Sequence, residues 1–225
     1  LIYLIEIKHL VMSINNRISM LLNLRHALLY GPVAAAVIAD VAKHDVDIQQ
    51  LLKKVPEDTR SNPGFVLEAI KSVATKNVIK LLWNCYGKEY EKINDKKVIL
   101  AAVAKYGGVL MNASETLRTD REFIIKAMNK NGYALQFVHG PLVDDDEVVL
   151  AAVKQNGYAL KFASKRLQGK KDVVLAAVSS IAPYQDSPLE YASKKMKSDE
   201  EVVLAAVKKG YFALDYASKV FGGVM

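Results

Sequence analysis

A run of apolar residues, VVLAAV at 148–153, returns along the chain as VILAAV from Val98, FIIKAM from Phe123, and VVLAAV again from Val173 and Val202. Successive anchors are 25, 25, 25 and 29 residues apart, and a fainter copy, FVLEAI, starts at Phe65. Six apolar residues in succession cannot share one face of a helix with 3.6 residues per turn. Such a helix must be covered on more than one side, as a repeat sandwiched between neighbours is. The paired alanines, Ala151-Ala152 and Ala205-Ala206 among them, let backbones approach closely. Ala152 and Ala206 are therefore expected at buried helix contacts.

Three residues before the anchors stand Asn62, Asp95, Asp120, Asp145 and Asp199; Lys170 alone breaks the series. Asp and Asn there act as N-caps, accepting from unpaired N–H groups of the first turn. Gly107, Gly132 and Gly157 follow the long helices at equivalent places. A left-handed turn with positive φ is expected at Gly132 and Gly157. A second apolar series comes next, Leu110, Leu135, Leu160, Leu189 and Leu214, then Ala113, Val138, Ala163, Ala192 and Ala217, then Leu117, Leu142, Leu167, Met196 and Phe221. Its spacing of 0, 3, 7 predicts one short second helix. The serines Ser114, Ser164, Ser193 and Ser218 fall near its end and are expected to bond back to a carbonyl one turn earlier; His139 takes that place in one copy.

Copies of the form DxEVVLAAVxxNGxALxxAS, from about Asp95 to Phe221, resemble an uncharacterised family of tandem helical repeats. That family occurs in proteins of unicellular eukaryotes and in secreted effectors of intracellular bacteria. The resemblance implies an all-helical array and carries no catalytic residue to transfer. The Phe65 copy departs strongly from the form, and the first sixty residues do not match it.

The fold expected is all-α, an α-solenoid of two-helix repeats over 61–225 with an irregular helical cap over 1–60. Within the cap, 1–12 is apolar but interrupted by Glu6, Lys8 and His9, too short and too charged to span a bilayer. It reads as a helix packed on the body, with a membrane-surface helix as the alternative. Residues 15–30 and 33–43 read as helices separated by Gly31-Pro32, and Asp45 is placed to cap a helix over 46–54. At the other end, the repeat anchored at Val202 has no polar helix after it. Its apolar face, with Val203, Ala206, Val207, Leu214 and Ala217, is expected to be covered by further chain, a partner or a second copy.

Charge and chemistry narrow the function by subtraction. The net charge of +7 is spread thinly: 61–130 holds 12 basic and 7 acidic residues, and 145–225 holds 12 and 10. That is not the dense tract of a nucleic-acid arm. The single cysteine, Cys85, excludes an internal disulfide framework and a cysteine-cluster zinc site, and fits a reducing, cytosolic compartment, the host cytosol for a secreted effector. The histidines His9, His26, His44 and His139 are scattered, without metal-ligand spacing. No phosphate-binding loop or nucleophile elbow is present. The acids at 144–147 lack calcium-loop spacing. No cofactor and no catalytic residue is expected.

A protein-interaction role remains, with an insertion at 180–188 and a longer unit around Trp83 as loop candidates. Candidate contact residues are the equivalent aromatics Tyr133, Tyr158 and Phe212 and the bases Lys154, Lys161, Lys165 and Arg166. Extended by Lys170, Lys171, Lys194 and Lys195, the same bases would serve an acidic partner, nucleic acid or anionic lipid. An enzyme whose active site lies in the N-terminal part or outside this sequence is the remaining alternative.

Overall fold

The computed structural model describes residues 31–41, 47–87, 93–180, 187–210 and 215–216. The stretches 1–12 and 15–30, Asp45, and the aromatic and apolar positions Phe212, Leu214 and Ala217 lie outside them. The chain divides into two compact units, Leu1–Tyr90 and Glu91–Met225, and both are helical.

In the first unit the helices Pro32–Val41, Ile48–Leu52, Glu57–Arg60, Pro63–Ser72 and Val78–Tyr86 are described. The cap of the Ile48–Leu52 helix is Asp47, which accepts from the Gln49 N–H; the sequence reading had placed a cap at Asp45. Asn62 caps Pro63–Ser72 as expected, its Oδ1 accepting from Gly64 N at 2.8 Å and Phe65 N at 3.3 Å. The Pro32–Val41 helix packs on Pro63–Ser72, and Ile48–Leu52 on Val78–Tyr86. Val37, Ile48, Leu52, Phe65, Ile70, Leu81 and Leu82 form the apolar interior. Cys85 belongs to it, and burial pushes its thiol up to about 12, which leaves it an inert packing residue.

In the second unit each repeat opens with a long helix: Lys96–Lys105, Arg121–Lys130, Asp146–Gln155, Lys171–Ser179 and Glu200–Lys209. Asp95, Asp120, Asp145 and Asp199 cap four of them through the N–H of the anchor residue, and Lys170 makes no side-chain cap. Each long helix packs against the next. The apolar runs are buried on both sides, with Val148, Val149, Ala152 and Val153 inaccessible, and Ala152 and Ala206 both inside helix contacts as expected.

The turn glycines work differently from expectation. Gly132 and Gly157 are not among the glycines with positive φ, and the residues ending the long helices, Asn131 and Asn156, are extended. A Cβ on Gly132 would collide with the carbonyl oxygen of Ala152 in the next repeat, and one on Gly157 with that of Ala177, and with Pro188 Cγ and Ser180 Oγ at 2.9 Å. These glycines let one repeat seat on its neighbour; they do not reverse the chain.

The second helix is also corrected. Three 3-10 segments begin at these glycines, Gly107–Asn112, Gly132–Phe137 and Gly157–Phe162, and a fourth, Pro188–Tyr191, begins without one; a separate short helical segment then follows, Glu115–Thr119, Gly140–Asp144, Lys165–Gln168 or Lys194–Lys197. A spacing of three fits three residues per turn as well as it fits an α-helix. The serines divide the two pieces. Ser114, Ser164 and Ser193 are N-caps, accepting from Leu117 N, Leu167 N and Met196 N, where a back-bond to a carbonyl was expected. His139 offers no such cap, and its segment, Gly140–Asp144, is 3-10.

Candidate interaction surface

Two edges of the second unit carry its charge, and they use it differently. The first edge runs along the starts of the long helices. Lys96 Nζ reaches Asp120 Oδ2 at 2.6 Å. Arg121 Nε donates to Asp145 Oδ2 at 2.7 Å, and its Nη2 reaches Glu147 at 2.9 Å. Lys171 lies 3.0 Å from Asp199 and 2.9 Å from Glu201. In each case the residue after one cap binds the cap of the following repeat. The same carboxylate thus holds its own helix start and the previous repeat.

At the joint between the repeats anchored at Val148 and Val173 the signs are exchanged. The residue after the cap is Asp146 and the next cap position is Lys170, with Lys170 Nζ 2.5 Å from Asp146 Oδ1. This accounts for the one break in the acidic cap series: Lys170 gives up capping and keeps the pair. Arg166 adds to it, donating to Asp144 at 2.9 Å and to Asp146 at 3.1 Å, while Ser164 Oγ also donates to Asp144. These partners hold the carboxyls of Asp120, Asp145, Asp146 and Asp199 below the ordinary carboxylate value: Lys96 for Asp120, Arg121 for Asp145, Lys170 and then Arg166 for Asp146, and Lys171 for Asp199.

The second edge is built from the 3-10 segments, which pack side by side along the repeats. Tyr133 meets Phe162 of the next repeat edge to face, centroids 5.2 Å apart. Lys161 Nζ sits 5.7 Å from the ring centroid of Tyr191, again one repeat on. Tyr133 is 44% exposed and Met111 56%. Here a groove of about 480 Å³ opens, lined by Lys161, Lys165, Gln168, Glu190, Tyr191 and Lys197. Gln168 forms its built-in floor: it is buried, and its Nε2 donates to the carbonyls of Leu160 and Ala163. Its Oε1 accepts from Lys165 Nζ at 2.9 Å, and its carbonyl accepts from Ser193 N at 2.9 Å.

The candidate residues from the sequence separate on these two edges. Tyr133, Lys161 and Lys165 lie on the 3-10 edge; Tyr158 is half-buried there; Lys154 is exposed on a long helix. Arg166, Lys170 and Lys171 belong to the paired edge and are occupied by carboxylates. Sequence reading missed Gln168, Glu190, Tyr191 and Lys197. The available signal was register: Lys161 and Glu190 stand at the same repeat position, as do Phe162 and Tyr191. Among the described residues no group of His, Cys, Asp and Glu could hold a metal ion, and no helix is long and apolar enough to cross a membrane.

The chain belongs to the family described as Domain of unknown function (DUF4116), whose model matches residues 95–141, 145–182 and 185–221 in tandem. No curated protein and no solved structure matches it.

Proposed function

We propose that this DUF4116 member is a non-catalytic scaffold: an α-solenoid array that recognises a protein partner along the edge of its 3-10 segments. The observation that carries this reading is the division of labour between the two edges. Ion pairs joining consecutive repeats occupy the starts of the long helices, whereas the 3-10 edge presents Tyr133, Met111 and a groove to solvent. Repeat arrays offer extended surfaces of this kind to partners. Membership in a larger, effector-like protein is part of the proposal and rests on the resemblance of the repeats.

Affinity capture with the full chain and with a Tyr133→Ala, Met111→Ser variant tests it. One or more proteins should be retained by the wild type and lost with the variant, circular dichroism being unchanged. Retention that ignores this edge would refute the reading. Binding of nucleic acid or anionic lipid is the second reading, and three of the bases on which it relied, Arg166, Lys170 and Lys171, are paired with carboxylates.

A further inference from the structure

Lys161 and Lys165 and the helix Lys194–Lys197 bring five lysines to one end of the 3-10 edge, at Lys161, Lys165, Lys194, Lys195 and Lys197. Among the described residues none of the five is in an ion pair with a carboxylate, in contrast to the cations of the paired edge. Three of them line the groove. Their charge is not consumed by the fold. Lys161 rests against the Tyr191 ring and Lys165 against Gln168, so two ammonium groups are held in place by contacts that leave N–H donors over. An ammonium has three donors, and one neutral acceptor cannot satisfy them.

We propose that this groove binds a short acidic peptide segment, its carboxylates bridging Lys161, Lys165 and Lys197 and an adjacent apolar side chain lying on Tyr191. The proposal rests on the protein-interaction reading and names the chemistry of its partner. The extent of the charge selects a short segment over a polyanion. The lysines at the groove form one cluster at one end, and the cations along the starts of the long helices, Lys96, Arg121, Lys170 and Lys171, are tied to acids, so that edge offers no continuous track leading away from the cluster as a nucleic-acid backbone requires. Glu190 in the groove lining can accept an N–H from a peptide backbone, a donor that a phosphodiester backbone lacks.

The test uses the full chain and three fluorescent probes: a decapeptide of alternating Asp and Leu, a single-stranded decanucleotide, and vesicles of phosphatidylserine and phosphatidylcholine. A decapeptide of alternating Asn and Leu is the neutral control. The acidic peptide should bind best, the neutral one at least roughly tenfold more weakly, consistent with loss of charge-assisted hydrogen bonds. Lys161→Glu and Lys197→Glu should each weaken acidic-peptide binding by about tenfold. Lys126→Glu, an equal charge change on the exposed side of the Arg121–Lys130 helix and outside the groove lining, should leave it within about twofold. All three sites are surface lysines, and circular dichroism confirms that each variant is folded.

Acidic-peptide binding that survives the groove variants, or falls equally with Lys126→Glu, overturns the groove while leaving protein recognition intact. Failure to bind any probe overturns it too. Tighter binding of the oligonucleotide or the vesicles overturns both the groove and the protein-interaction reading.

Discussion

At the scale of single residues, glycine has two distinct jobs in this chain. Gly140 has φ of +69° with open space around its Cβ position, whereas Gly132 has ordinary φ and a neighbouring carbonyl where a Cβ would go. The two demands respond differently to substitution. Asn tolerates the left-handed region, so Gly140→Asn should be milder than Gly140→Ala. At Gly132 both replacements should destabilise by about 2–3 kcal/mol or more, because either one overpacks the repeat joint. Denaturant melts of the four variants check this, and an Asn rescue at Gly132 would revive the left-handed turn. The sequence marked Gly132 as a turn glycine and gave no sign of its close approach, because that depends on which backbone lies opposite. Ala152 was legible for the opposite reason: a small residue inside an unbroken apolar run has few places to be except a tight contact.

At the scale of elements, the serines set where a segment starts. Ser164 Oγ accepts from the Leu167 N–H, so Ser164→Ala should cost about 1 kcal/mol, the usual worth of such a cap. His139, in the equivalent place, makes no cap bond, and His139→Ala should cost far less. Thermal unfolding of the pair separates the cases, and equal losses would show the serine to be incidental. The long helices and their Asp caps were legible because both signals are local. The split of the second helix was not, since a stripe at 0, 3, 7 cannot tell one helix from two short ones hinged at a cap.

Lys170 belongs at this scale as well. Lys170→Asp creates the missing cap but sets the new carboxylate against Asp146. Lys170→Asp combined with Asp146→Lys restores the attraction and keeps the cap. The double variant should therefore melt above both singles, while against the wild type its new cap is offset by the Arg166–Asp146 pair it gives up. A double variant that melts no higher than Lys170→Asp would show the pair to be without consequence.

At the scale of the whole molecule, the joints make stability depend on pH. Asp120, Asp145, Asp146 and Asp199 hold their protons less tightly in the folded chain than at the ordinary value of 3.8. On acidification the unfolded chain therefore takes up protons first. Stability should be full above about pH 5, decline as pH falls through 3.8, and go on declining through the lower folded values. Salt should weaken the same exposed pairs. Melts between pH 2 and 7, with and without 1 M sodium chloride, measure both effects. A profile flat across this range would mean that the joints are held by packing alone. No single position in the sequence announces these pairs. The partners stand one repeat apart and are recognised only once the neighbouring helix starts are known to lie side by side.

The reversed joint also bears on how such a chain can be shortened or lengthened by exchange of its coding units. Loss of 120–144 would bring Lys96 up to Asp145, and the joint would close as before. Loss of 145–169 would set Arg121 facing Lys170, and loss of 170–198 would set Asp146 facing Asp199, like charges in both cases. Loss of the two together would return Arg121 to an aspartate, Asp199. The units beginning at Asp145 and Lys170 therefore behave as a couplet: at the joint between them Asp146 and Lys170 complement only each other, while the outer ends of the pair keep the ordinary signs.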